Sequence, residues 1–229
     1  MKRLIVTGDD FGLSLPVNAA IEMAHQNGIL TTASLMVGGA AAADAVGRAR
    51  HLQGLRVGLH MTLVCGRPVL PAAEVPGLAD AHGNLPSDLF QAGVRFFFRP
   101  AVRRQLEAEI RAQFSAFRAT GLHLDHVNAH NHMHLHPTVC TLILKVGREY
   151  GMSAVRVPYE PLLPCWRSSR EGSVRRLGSW VELQRQRISV DQVYDLCAMR
   201  VVTRSLPDCY AVLGIIHWCE RSCGLRGRT

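Results

Sequence analysis

The chain has 229 residues, 48% of them hydrophobic and 19% charged, and 26 Lys+Arg against 18 Asp+Glu give a formal net charge of +8. This length and composition suit a folded α/β domain and exclude a chain disordered by composition. The positive balance favours anionic surroundings such as acidic lipid headgroups or phosphorylated ligands, but no compact Lys/Arg run marks a nucleic-acid arm, and 6% aromatic residues are too few for a single-strand stacking platform, so no nucleic-acid partner is expected.

Seven cysteines include no CxxC pair, and they read as free thiols in a reducing compartment. Leu4-Ile5-Val6 after Met1-Lys2-Arg3 is too short for the apolar core of a signal peptide. No window approaches about 20 uninterrupted apolar residues, so no spanning helix is expected. The expectation is a cytoplasmic protein, with room for peripheral contact at the inner membrane face.

Short apolar runs alternate with longer periodic ones. A buried strand is predicted over 2–8, closed by Gly8-Asp9. A helix follows over 15–26, with Ser14 as N-cap, Pro16 in its first turn and Gly28 as its stop. Strand 31–37, helix 40–52 and strand 56–63 come next, the last carrying His60. Residues 64–99 break the rhythm with prolines and glycines and read as one long excursion, of the kind that forms a rim or lid. Pro100 opens the clearest helix, to 120, where Val102, Leu106, Ile110, Phe114 and Phe117 keep helical spacing. Strand 122–129, helix 138–150 and strand 154–157 complete the readable part. Strand-helix alternation implies a parallel sheet with its chemistry at the C-terminal strand ends.

Polar constellations stand at those ends. Asp9 and Asp10 place adjacent carboxylates after an apolar strand. Their repulsion is relieved either by a divalent cation or by a turn in which they cap the next helix. His60 suits either a metal ligand or a hydrogen-bonded core histidine. His126 precedes His130-Asn131-His132-Met133-His134-Leu135-His136, where four histidines alternate. On an extended chain all four would share one side and could serve a metal, the alternative being a solvated His-rich loop. Asp125 is a candidate acceptor for a ligand's ring N–H. A site of two His and one Asp keeps open positions, as catalytic metal sites do. No P-loop, strand-borne G-x-G-x-x-G or G-x-S-x-G motif appears, so phosphoryl transfer, hydride transfer and serine hydrolysis lose support.

Val6-Thr7-Gly8-Asp9-Asp10-Phe11-Gly12, Gly58-Leu59-His60 and His130-Asn131-His132-Met133-His134, in this order, resemble the motifs of the YdjC/ChbG-like carbohydrate deacetylases, over roughly residues 1–160. Residues 32–37 and 155–160 look closest to the hopanoid-biosynthesis-associated branch. The resemblance implies an irregular, TIM-like (β/α) barrel, one domain over 1–229 with 161–229 divergent or truncated, and a homodimer. It implies hydrolysis of the acetamido group of an N-acetylated amino sugar, possible substrates including an N-acetylglucosaminyl hopanoid lipid. By family pattern Asp10, His60 and His130 bind a divalent metal, Mg or Zn, and Asp9 is the general base. His132 and His134 are further candidates for ligand or acid, and Arg156 and Glu160 for the sugar site. The family's late histidine is followed by proline, whereas His217 here is followed by Trp218. The alternative function is therefore a metal-binding glycan- or lipid-binding member that lost its acid.

Overall fold

The computed structural model describes residues 5–156. Along the chain they form β1 (Thr7–Phe11), α1 (Leu15–Asn27), β2 (Thr32–Leu35), α2 (Ala42–His51), β3 (Arg56–Met61), α3 (Leu89–Phe98), α4 (Pro100–Ala119), β4 (Val127–Ala129) and α5 (Pro137–Glu149), with a 3-10 turn over His130–Leu135. The four strands are parallel and lie in chain order β1-β2-β3-β4. Parallel neighbours need crossovers, which the helices supply. Val127 also bridges Val155 in parallel, and that single bridge is what stands where a fifth strand is predicted. Sequential parallel neighbours are the order a (β/α) barrel uses, but the described sheet is open. The barrel expectation extends into residues 157–229, outside the described residues, as do Glu160 and His217.

Local chemistry accounts for the elements. Ser14 is extended, and its Oγ accepts from the Val17 amide at 3.4 Å, with Pro16 inside the first turn of α1. In α4, Val102, Leu106, Ile110, Phe114 and Phe117 are buried against the sheet. Each such side chain contributes about 1.5–3 kcal/mol on leaving water. β2 is buried throughout and β3 at all but its first residue, as expected of strands covered on both faces.

The excursion 64–99 differs from expectation: its last part is α3. Asp88 caps that helix, its carboxylate accepting from the Gln91 amide at 3.0 Å. The helix escapes a periodicity reading because its apolar residues face both ways, Ala92 and Phe96 inward and Phe90, Phe97 and Phe98 outward. The irregular stretch before it is anchored by two buried residues of α4. Glu109 accepts from the amides of Val69 at 2.8 Å and Leu70 at 3.0 Å, and from Gln113 Nε2 at 2.7 Å. Burial pushes the Glu109 carboxyl up, against the pull of these three donors. Gln113 also donates to the Thr62 carbonyl at 2.7 Å and accepts from the Thr62 amide at 2.9 Å. The chain leaving β3 just beyond His60 is thereby tied to α4.

Gln113→Ala leaves Thr62 and Glu109 short of buried partners. It is expected to lower unfolding stability by about 1–3 kcal/mol in urea denaturation. A loss below about 0.5 kcal/mol would show that these bonds do not anchor the strand exit.

Candidate metal centre

The DDFG segment is shaped by a bulge. Thr7 and Gly8 pair with Thr32 and Ala33, but Phe11 pairs with Leu35, so β1 carries one extra residue between Gly8 and Phe11. Asp10 takes that position with φ 62°, in the left-handed region that Asp tolerates better than most residues. The strand therefore runs through the aspartates to Phe11 and does not close at Gly8. Gly12 follows at φ 96°, and a Cβ there would stand 2.9 Å from the Met36 carbonyl oxygen. Its amide donates to the buried Asn18 Oδ1 at 2.7 Å. The helix cap is Ser14, so the aspartates do not serve as caps, and the bulge aims their carboxylates apart.

Asp10 Oδ1 lies 3.1 Å from His60 Nε2 and 3.0 Å from His130 Nδ1. His60 Nε2 and His130 Nδ1 are 3.3 Å apart. These residues form the one cluster of possible metal-holding side chains found among the described residues. They come from β1, β3 and the residue after β4, at the C-terminal edge of the sheet.

The protonation of His60 follows from its neighbours. β3–β4 register sets Asn128 beside His60, and His60 Nδ1 meets Asn128 Oδ1 at 2.7 Å. The Asn128 amide can lie only one way round, because its Nδ2 donates to Asp9 Oδ1 and to Ser34 Oγ, both at 3.0 Å. Its oxygen must then accept, so His60 Nδ1 carries a hydrogen and Nε2 is the ring nitrogen turned to Asp10. In the neutral ring Nε2 would turn a lone pair to the Asp10 carboxylate, 3.1 Å away. A cation resolves this. Donor atoms about 2.0–2.2 Å from one ion and at right angles to one another stand about 3 Å apart. The donor set fits a divalent metal.

The network continues away from the site. Ser34 Oγ meets His126 Nε2 at 3.0 Å, and His126 Nδ1 meets Asp125 Oδ2 at 3.1 Å. Asp125 thus meets His126, outside the cluster, and the clustered ring of His60 is oriented by Asn128 instead. Gly58 makes room for this chain, since a Cβ there would stand 2.6 Å from the His126 ring. Burial holds His126 below its ordinary value, which favours the neutral ring the chain requires.

The four alternating histidines do not share one side. Asn131 and His132 turn left-handed at φ 52° and 54°, and the chain enters the 3-10 turn in place of extended strand. Of the four, only His130 joins the cluster. His134 is buried, and its Nδ1 accepts from the Ala129 amide at 3.1 Å. Burial first, then the neighbouring cations, push it down to about 3, so it braces the turn as a neutral ring. His132 is half-buried with its ring centroid 6.0 Å from that of His134. His136 starts α5.

Asp9 faces elsewhere. Arg156 Nη1 donates to both its oxygens, at 3.0 and 2.8 Å, and His60 Nδ1 is 4.0 Å away. Burial raises the Asp9 carboxyl, but the Arg156 charge and the other donors outweigh it, leaving it at about 2. Arg156, expected to line the sugar site, is engaged by Asp9. Asn128 went unread, although His126, Asn128 and His130 alternate with Val127 and Ala129 and mark the inward face of β4.

A family model described as YdjC-like protein matches residues 3–211, past the stretch in which the motifs were recognised. The chain is 41% identical over 157 residues to a carbohydrate deacetylase of Brevibacillus brevis, covering 69% of this chain and 60% of that protein. It is 37% identical over 158 residues to a carbohydrate deacetylase of Geobacillus stearothermophilus, covering 69% and 59%. The chain thus spans about three-fifths of the length of these relatives. The structure is similar to that of a candidate cellobiose-phosphate cleavage protein of Enterococcus faecalis V583, with a TM-score of 0.59 and 25% identity over 80% of this chain and 65% of that one.

Because Asp9 ionises at about 2 against an ordinary 3.8, its pairing with Arg156 contributes stability above pH ~4 that is lost as pH falls through about 2. In metal-free protein, Arg156→Gln should melt below wild type at pH 5, and the gap should narrow towards pH 2. A gap independent of pH would show that Arg156 stabilises the fold without the carboxylate.

Proposed function

The chain belongs to the YdjC-like protein family, and from that premise we propose that it is a metal-dependent carbohydrate deacetylase, hydrolysing the acetamido group of an N-acetylated amino sugar. The observation that carries the reading is the convergence of Asp10, His60 and His130 within 4.8 Å of one another, at the strand ends, with a second carboxylate beside them held ionised. The similarity to proteins described as carbohydrate deacetylases supports the substrate class.

Asp10, His60 and His130 would hold a divalent metal, Mg or Zn, the two imidazoles favouring Zn. When bound, such an ion supplies Lewis acidity and makes water nucleophilic near neutral pH. Asp9 is the base in this proposal. Arg156 and Asn128 orient its carboxylate and keep it charged, at some cost in basicity, and its side chain stays 37% accessible. The departing amine must be protonated, because a neutral amine is expelled far more readily than its anion. Of the two histidines considered for that step within the described residues, the half-buried His132 suits it, because His134 is spent on the Ala129 amide. The finer reading, an N-acetylglucosaminyl hopanoid lipid as substrate, rests on the sequence resemblance at 32–37 and 155–160.

Acetate release from an N-acetylglucosamine conjugate, assayed with added Zn or Mg, tests the activity. Asp10→Ala, His60→Ala and His130→Ala should each abolish bound metal and leave the fold largely intact. Normal metal content in two of the three would sink the ligand assignment. Asp9→Asn should keep its metal and lose about 10²–10⁴-fold in turnover, so wild-type turnover in that variant would remove Asp9 as base. Asn128→Ala should weaken metal affinity about 10–100-fold by releasing the His60 ring. Unchanged affinity by calorimetric titration would show the ring is oriented without it.

A further inference from the structure

The outer face of α3 is apolar and exposed. Phe90 is 81% exposed, Phe98 71% and Phe97 51%, and Leu89 and Val94 accompany them. Single exposed apolar residues are ordinary, but a contiguous group marks a surface that meets something. Here the group is contiguous: the Phe97 and Phe98 rings pack edge to face with centroids 4.9 Å apart. Against the core, α3 contributes only Ala92 and Phe96.

The charge beyond the Phe98 end of this face is basic, while the exposed Asp88 caps its other end. From 89 to 104 the chain carries Arg95, Arg99, Arg103 and Arg104 and no acidic residue. Arg95 donates to the Gly77 carbonyl. Arg99, Arg103 and Arg104 are exposed, and no described acidic side chain pairs with them. We propose that this face of α3, with the three arginines that follow it, docks on an anionic lipid bilayer. Phenylalanines that enter the acyl boundary beside arginines that meet headgroup phosphates are the pattern of a helix lying in the membrane interface. Ten residues of helix span about 15 Å, and none of the described helices is long and apolar enough to cross a membrane, so α3 lies in the surface. A second copy of this chain fits less well, because two-fold pairing of the face would bring the same arginines towards each other.

The patch borders the end of the turn that follows β4. The Phe97 ring centroid lies 6.3 Å from that of His136, which closes the turn that begins at His130. Docking would bring that side of the molecule to headgroup level, where a lipid-linked amino sugar presents its sugar. The surface proposal does not depend on the deacetylase reading, since vesicle binding needs neither metal nor turnover.

The test is cosedimentation of the full chain with phosphatidylcholine vesicles, with and without phosphatidylglycerol. Binding is expected to the anionic vesicles, to weaken with salt and to be slight on phosphatidylcholine alone. Phe90→Ser with Phe98→Ser should weaken it about 10²-fold or more, since each phenylalanine loses its burial in the acyl boundary. Arg99→Gln, Arg103→Gln and Arg104→Gln should each weaken it about fivefold, which tests the surface even if the phenylalanine variant fails to fold. Absence of binding to anionic vesicles, or equal binding by all variants, overturns the proposal. So does concentration-dependent dimerisation that Phe90→Ser abolishes in a protein that does not bind vesicles, which would assign the face to a second copy.

Discussion

The hydrogen bond between His60 Nδ1 and Asn128 Oδ1, 2.7 Å long, is the constraint on which the rest of the candidate centre depends. An imidazole facing a carboxylate ordinarily settles the contact by placing its own proton between them. Asn128 holds the hydrogen of the neutral ring on the other nitrogen. It can do so because its amide nitrogen is already committed to Asp9 and Ser34. Three strands contribute to this one amide, and parallel register holds them. Strand pairing therefore decides which tautomer the neutral ring adopts, and that tautomer suits the candidate cation site.

The same amide separates the two aspartates. Adjacent carboxylates share a backbone, and without intervention their charges would compete for one environment. The β1 bulge turns Asp10 towards the imidazoles, while Arg156 and Asn128 draw Asp9 aside. Asp9 is kept charged by a guanidinium, and the contact with His130 Nδ1 holds the Asp10 carboxyl below its ordinary value. A left-handed backbone at a residue other than glycine costs on the order of 1–3 kcal/mol, and at Asp10 the surrounding sheet sustains it.

Much of this was legible in the sequence where regular periodicity governs. α1 begins where Ser14 and Pro16 announce it, α4 follows its apolar stripe closely, and β3 carries His60 as its hydrophobic run implies. Proximity of Asp10, His60 and His130 could be anticipated because parallel sheets gather their strand ends. Alternation misled at His130–His136, since a period of two holds only while the chain stays extended. Asn131 and His132 are residues that tolerate left-handed turns, and two in succession end the strand. α3 was hidden by phenylalanines on its solvent face. Asn128 drew no attention as an uncharged residue beside a conspicuous histidine run, and its role depends on a cross-strand register that composition does not carry.

Asp10 and His130 stand 120 positions apart along the chain, and His60 comes from a strand between them. Closing so long a loop has an entropic cost that no local contact offsets, so the cluster cannot assemble in a short fragment or in an early, locally organised intermediate. The candidate cation site comes into being only when β1, β3 and β4 are already aligned. An ion that binds there stabilises the finished topology selectively, by mass action on the native state. Metal uptake during refolding would thus report the completion of long-range strand order, later than the appearance of helix.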